Sequence, residues 1–232
     1  MYPYRFTNIH MFVQRVADNI VKYGYVKYVT GTIPEGKDPE EVDAKILGKY
    51  GIAVSRWVRA RRKKNGRASV HYVRHQNFFA MFAPMMGEHP WRAEEEWRDE
   101  RDARRHGSRI KDLTRKPLVC GGYTISYKQC SSTGKAHVAV RIHPQEYRAL
   151  KAYDLGLAVK CSAKDLAEEF SMFPFEPWAG VREQRWVIFQ EVNATRKRAG
   201  LELLDTKVLR KRRFQHKLYV PEFSAMGEKE VA

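Results

Sequence analysis

Apolar residues change their period along this chain, and that change confines it to mixed architectures. Phe12, Val13, Val16, Ile20 and Val21 recur at helical spacing within residues 8–23, with Thr7 as a candidate N-cap and Gly24 as a stop. The next segment, YVKYVTGTI at 25–33, is rich in aromatic and β-branched types that fit a pleated strand. Helix and strand signals keep alternating to the carboxy terminus. An α+β fold is therefore expected: a β-α-β type amino-terminal unit, then a β-hairpin and a helical carboxy-terminal part, with a ferredoxin-like split sheet as the specific candidate.

Local punctuation places the elements. Asp38-Pro39-Glu40-Glu41 supplies an N-cap, a first-turn proline and a capping-box carboxylate, so a helix is predicted from Pro39 to Tyr50, ended by Gly51. Ser55 caps a short basic helix that carries Trp57 and Val58 and runs to Lys64, before the Asn65-Gly66 turn. Residues 69–82 form one long β-type stretch. Residues 91–112 interleave both charges, as on a solvent-exposed helical connector.

Further on, 118–127 and 136–142 read as a hairpin with Tyr123, Ile125 and Tyr127 on one face. Pro144 starts a helix with a Tyr147, Leu150, Tyr153 and Leu157 stripe, and Ser162 with Asp165 forms a capping box for the next. A third helix follows the 174–177 break and carries Val181, Ile188, Phe189 and Val192 up to Gly200. A strand is expected within 208–220. The resulting division is 1–90 for the amino-terminal unit, 91–116 for the connector, 117–223 for the hairpin and helices, and 224–232 for a polar tail.

Charge narrows the partners. Lys and Arg number 43 against 27 Asp and Glu, giving a formal net charge of +16 and a pI near 9.8. Such an excess favours phosphate polymers or anionic membrane surfaces. No stretch approaches the about 18 consecutive apolar residues of a membrane span. The amphipathic segment 8–23 is not especially basic on its polar side, and the basic runs lack a broad apolar face, which argues against a membrane surface. The start, MYPYRFTNIH, has no basic segment followed by an apolar run, so a cytoplasmic location is expected. Cys120, Cys130 and Cys161 are odd in number and widely spaced, which suits neither a disulfide framework nor a zinc knuckle.

The positive charge is concentrated. Arg56, Arg59, Arg61, Arg62, Lys63, Lys64, Arg67 and Arg74 follow one another with no acidic residue between them. A second concentration comprises Arg196, Lys197, Arg198, Lys207, Arg210, Lys211, Arg212, Arg213 and Lys217, interrupted only by Glu202 and Asp205. Its first trio sits at a predicted helix carboxy terminus, where cations complement the helix dipole. Tyr72 and Trp57, each with a polar atom and basic neighbours, are the candidate base-stacking residues, whereas Phe78, Phe79 and Phe82 are assigned to the core. The alternating face of the 122–127 strand is a third candidate surface, better explained as core. The function expected is phosphate-backbone binding to DNA or RNA through these cations, within a nucleoprotein assembly that includes other proteins. The alternative is a nuclease or strand-transferase.

Catalytic signals are weak. His71 and His75 are four apart in a segment that reads as strand, where they stand roughly 13 Å apart and cannot share one ion. Nucleases that pair histidines with a tyrosine nucleophile need the histidines two apart, which this segment lacks. Asp38, Asp43, Glu94, Asp99 and Asp112 are candidate magnesium ligands, although Asp38 is better read as a cap, Asp43 as a helix-surface charge, and Glu94 and Asp99 as ion-pair partners. Tyr72, His71, His75, His137 and His143 are the candidates for metal-free acid–base work. There is no phosphate-binding loop or dinucleotide fingerprint, so neither a cofactor nor a metal is expected.

Overall fold

The computed structural model describes residues 2–88, 91, 110–130, 133–172 and 176–209. Among these the chain is a mixed α+β protein with six α-helices and two β-sheets. The first sheet contains β1 (Arg5–Phe6), β2 (Lys27–Thr32), β3 (His71–His75), β4 (Phe78–Ala83) and β5 (Lys111–Asp112), in the order β1-β3-β4-β2-β5. Only β1 with β3 is a parallel pair; β3 with β4, β4 with β2 and β2 with β5 are antiparallel. Helix α1 (Ile9–Asn19) lies between β1 and β2 in the chain, and α2 (Pro39–Lys49) and α3 (Arg56–Lys64) lie between β2 and β3.

The 69–82 stretch is two strands rather than one. The chain reverses at Gln76-Asn77, so that His75 pairs with Phe78. Gln76 takes φ 52, the positive value that a tight two-residue hairpin demands and that side chains ordinarily avoid. Arg74 Nη1 donates to the Gln76 carbonyl at 2.6 Å and steadies that conformation.

Asp43 is a buried charge, not a surface one. It is 0% exposed and is the one buried residue of α2. Arg74 of β3 grips it from Nε at 2.9 Å to both oxygens and from Nη2 at 2.7 Å, while the Tyr72 hydroxyl donates to the same carboxylate. A helix with so little buried apolar surface is thus fastened to the sheet by a forked ion pair, with Ile46 and Leu47 packing partly buried beside Ile52, Tyr72 and Met81.

The second sheet is a meander rather than a single hairpin: β6 (Leu118–Cys120), β7 (Tyr123–Gln129) and β8 (Ala136–Ile142). Gly121 and Gly122, at φ 50 and 80, make the two-residue turn that splits the expected 118–127 strand. Tyr123 and Ile125 are buried and Tyr127 packs half-buried beside them, so this face belongs to the core.

Helix α1 carries Phe12, Val13, Val16 and Ala17 into a core shared by both sheets, reaching Val73 and Phe82 on one side and Ile125 and Val140 on the other. Its cap is Asn8 instead of Thr7, because the Asn8 side chain accepts from the His10 amide at 2.8 Å. A short 3-10 turn at Val21–Tyr23 then precedes Gly24.

Three helices complete the described chain: α4 (Pro144–Leu157), α5 (Ala163–Met172) and α6 (Ala179–Arg198). The Ser162–Asp165 box is present, with Ser162 Oγ donating to Asp165 at 2.7 Å and accepting from the Asp165 amide at 3.2 Å. Val181, Ile188, Phe189 and Val192 of α6 are all buried, whereas Tyr153 of the α4 stripe is exposed. Gly180 lets α6 approach β8, since a Cβ there would lie 2.6 Å from the Val140 carbonyl oxygen. Gln184 then hydrogen bonds both main-chain groups of Ile142, accepting at 2.8 Å and donating at 3.2 Å. Thr206–Val208 is a 3-10 turn; the rest of the strand expected within 208–220, the tail at 224–232 and most of the connector fall outside the described residues. No helix among the described residues is long and apolar enough to cross a membrane.

Removing one partner of the buried pair should be costly because it strands the other charge. Asp43→Asn is expected to lower stability in urea denaturation by about 3 kcal/mol or more. Glu183→Gln, which breaks the exposed pair with Arg141, should change it by less than about 1 kcal/mol. Equal effects would contradict the assignment.

Candidate nucleic-acid interface

Helix α3 has no buried residue, and nine residues are too few to hold a helix in isolation. Its fixings are polar. Ser55 Oγ accepts from the Val58 amide at 3.3 Å, as the sequence predicts. Arg59 Nη1 donates to the Val54 carbonyl at 2.5 Å and Arg62 Nη1 to the Gly51 carbonyl at 2.9 Å. These two arginines, both half-buried, bind the helix to the loop before it.

The remaining cations of the run face outward. Arg56, Arg61, Lys63, Lys64 and Arg67 are exposed, and none forms an ion pair with a carboxylate among the described residues. Trp57 is 80% exposed, and positions 57, 61 and 64 share one helical face. Arg61, Lys63 and Lys64 also occupy the last turn, where the helix dipole favours cations; that accounts for about 0.3–1 kcal/mol per charge and leaves their accessibility intact.

Two residues expected in the interface are instead in the core. Tyr72 is 0% exposed with its hydroxyl on Asp43, so it cannot stack on a base. Arg74 is 5% exposed and committed to Asp43 and Gln76, so it cannot meet a phosphate backbone. Both corrections have one cause: a carboxylate from a distant helix, invisible to local charge counting, supplies their partner. Arg210, Lys211, Arg212 and Arg213 fall outside the described residues.

In the second basic concentration, Arg196 is also buried. Its Nη1 donates to the carbonyls of Ala158 at 2.7 Å and Cys161 at 2.9 Å, just beyond the end of α4, and its Nε bonds the Glu202 carbonyl. It therefore closes a neighbouring helix rather than only complementing its own. Lys197, Arg198 and Lys207 are exposed, with Lys207 3.7 Å from Asp205.

The catalytic candidates are dispersed. His75 Nδ1 lies 3.0 Å from the Phe6 carbonyl, His143 caps α4 by accepting from the Gln145 amide, and His137 is exposed on β8. Asp38 caps α2, and Asp112 pairs with Lys27 at 3.0 Å and caps Thr114. Glu94 and Asp99 fall outside the described residues.

Two polar clusters join residues that no spacing connects. In the first, the Tyr2 hydroxyl donates to the Tyr72 carbonyl at 3.1 Å, accepts from the Tyr72 amide at 3.0 Å and lies 3.0 Å from His71 Nδ1. The guanidinium carbons of Arg15 and Arg59 each stand 5.8 Å from the Tyr2 ring centroid, and Tyr25 meets His71 edge-on at 4.6 Å. Burial, and then the charges of Arg15 and Arg59, push the His71 imidazole down to about 3. The aromatic-rich start of the chain was the one sequence signal for this cluster.

The second cluster centres on buried Glu176, which accepts from the Tyr123 hydroxyl and lies 3.5 Å from Arg185 and 3.9 Å from His10. Nearby Asp154 is 1% exposed; burial, reinforced by Glu169 and opposed by Arg185, pushes its carboxyl up to about 6. These groups bind α1, β7 and α6 together.

No protein-family model, curated protein or solved structure matches this chain.

His71 makes stability acid-sensitive. The folded protein refuses the proton down to about pH 3, whereas the unfolded chain accepts it near 6.5, so stability falls as pH drops below 6.5. Urea denaturation should show this group removing about 2 kcal/mol between pH 7 and 5, and His71→Asn should flatten that part of the profile. Parallel profiles for the two proteins would refute the assignment.

Proposed function

We propose that this protein binds DNA or RNA along the outward face of α3, in the cytoplasm and within a nucleoprotein assembly that contains other proteins. The reading rests on one observation: Trp57, 80% exposed, stands among Arg56, Arg61, Lys63, Lys64 and Arg67, none of which is neutralised by a carboxylate among the described residues. Cations on such a face release condensed counterions when they meet phosphates, which supplies affinity without sequence readout. An exposed indole beside them offers a stacking surface to an unpaired base. The anchoring of Arg59 and Arg62 fixes how that face is presented. Arg210 to Arg213 are proposed as secondary phosphate contacts. A ferredoxin-like arrangement of the first sheet is not required, because the helix carries the charge.

Binding to matched single- and double-stranded DNA and RNA across a salt series tests the reading. Five phosphate contacts give an expected slope of log affinity against log salt of about −4. Replacing Arg61, Lys63 and Lys64 by Gln should reduce that slope by about 2 to 3. Trp57→Ala should weaken single-stranded binding by about 1–3 kcal/mol and duplex binding less. Absence of binding to every polymer would overturn the proposal, and cleavage of the ligand on a denaturing gel would replace it with the nuclease reading.

A further inference from the structure

Of the side chains in the basic run that turn away from the outer face, Arg59 meets an aromatic ring. Arg59 leaves α3 to lie against the Tyr2 ring, where Arg15 arrives from α1. Both arginines are half-buried, and neither forms an ion pair with a carboxylate among the described residues. Asp18, one turn along from Arg15, has Lys22 as its charged neighbour instead. Arg15 Nε is buried without a hydrogen-bond partner among the described residues. Two guanidiniums meeting one ring with no carboxylate beside them among the described residues leave a local positive excess.

The surroundings suit an oxyanion. Tyr2 is locked by its three contacts with His71 and Tyr72, so the ring that both guanidiniums share is a fixed platform. His71 is 6% exposed and adds no negative charge, and Tyr25 closes against it edge-on. Guanidinium groups present planar forks that match phosphate oxygens, and two forks from separate helices define a point rather than a track.

We propose that Arg15 and Arg59, set around Tyr2, form a seat for one phosphate group, distinct from the outer face of α3. The proposal deepens the nucleic-acid reading by placing beside the polymer track a site that takes a single phosphate. That phosphate comes from a strand terminus or from the backbone, and the same chemistry binds the free ion.

The test uses the full chain with inorganic phosphate and with oligonucleotides bearing a 5′-phosphate, a 3′-phosphate or neither. At matched ionic strength, phosphate is expected to raise the melting temperature of the wild type more than chloride does. A terminal phosphate on the preferred end is expected to tighten binding roughly tenfold. Arg15→Gln should abolish both effects, and Arg15→Lys, which keeps the charge without the fork, should retain part of them. If the backbone supplies the phosphate, Arg15→Gln instead weakens unphosphorylated and phosphorylated oligonucleotides alike.

The two readings fail separately. A phosphate-specific melting shift that Arg15→Gln removes, in a protein that binds no polymer, upholds the seat and removes the nucleic-acid role. Salt-sensitive polymer binding with no phosphate-specific shift, no end preference and no effect of Arg15→Gln overturns the seat and leaves the outer face standing. A wild-type shift that persists undiminished in Arg15→Gln also overturns it.

Discussion

The grip of Arg74 on Asp43 is the constraint on which the amino-terminal half depends. Helix α2 has one buried residue, and that residue is the carboxylate. The guanidinium also holds the Gln76 carbonyl, so one side chain fixes the helix on the sheet and the reversal between β3 and β4. The path from α2 through the Gly51–Val54 loop to α3 starts from this joint. The position of the basic helix is therefore set by a buried charge pair on one side and by the arginine-to-carbonyl bonds of Arg59 and Arg62 on the other. Directional polar contacts replace the broad apolar face that usually docks a helix.

Helix α1 does the complementary work with apolar contacts. Its buried face touches both sheets, and the principal cluster of buried side chains runs from Phe82 through Val16 to Val140 and Val181. The Tyr123–Glu176 bond and its neighbours His10 and Arg185 add a polar joint at one end of this helix, while Arg15 from its middle reaches the Tyr2 platform. Core and candidate phosphate seat thus share a single element. Its apolar positions set the packing, and Arg15 reaches the Tyr2 ring that Arg59 of α3 also meets.

Much of the fold was legible because it is written in local signals. Asp38-Pro39, Ser55, Pro144 and Ser162–Asp165 mark helix starts through contacts within one turn, and local contacts are what sequence spacing reports. The splits at Gln76-Asn77 and Gly121-Gly122 are not legible in the local pattern because the flanking residues have continuous strand character; the reversals are decided by backbone conformation and pairing. In the basic run, Arg56, Arg61, Lys63, Lys64 and Arg67 stand where their charge suggested, exposed on or beside α3. Tyr72 and Arg74 do not, because Asp43, 31 positions from Arg74, draws both into the core.

The sequence by itself determined the α+β class, the capped helix starts, the excess of positive charge and its concentration around α3, since composition, periodicity and capping act within a few residues. Tertiary structure alone decided which cations remain accessible. Burial and pairing are set by residues far apart in the chain: Asp43 with Arg74, Arg196 with the carbonyls beyond α4, and Arg15 with Arg59 around Tyr2. Whether a charge is spent inside the fold or offered to a partner depends on the distance to an opposite charge or a free carbonyl, and only the folded chain sets that distance.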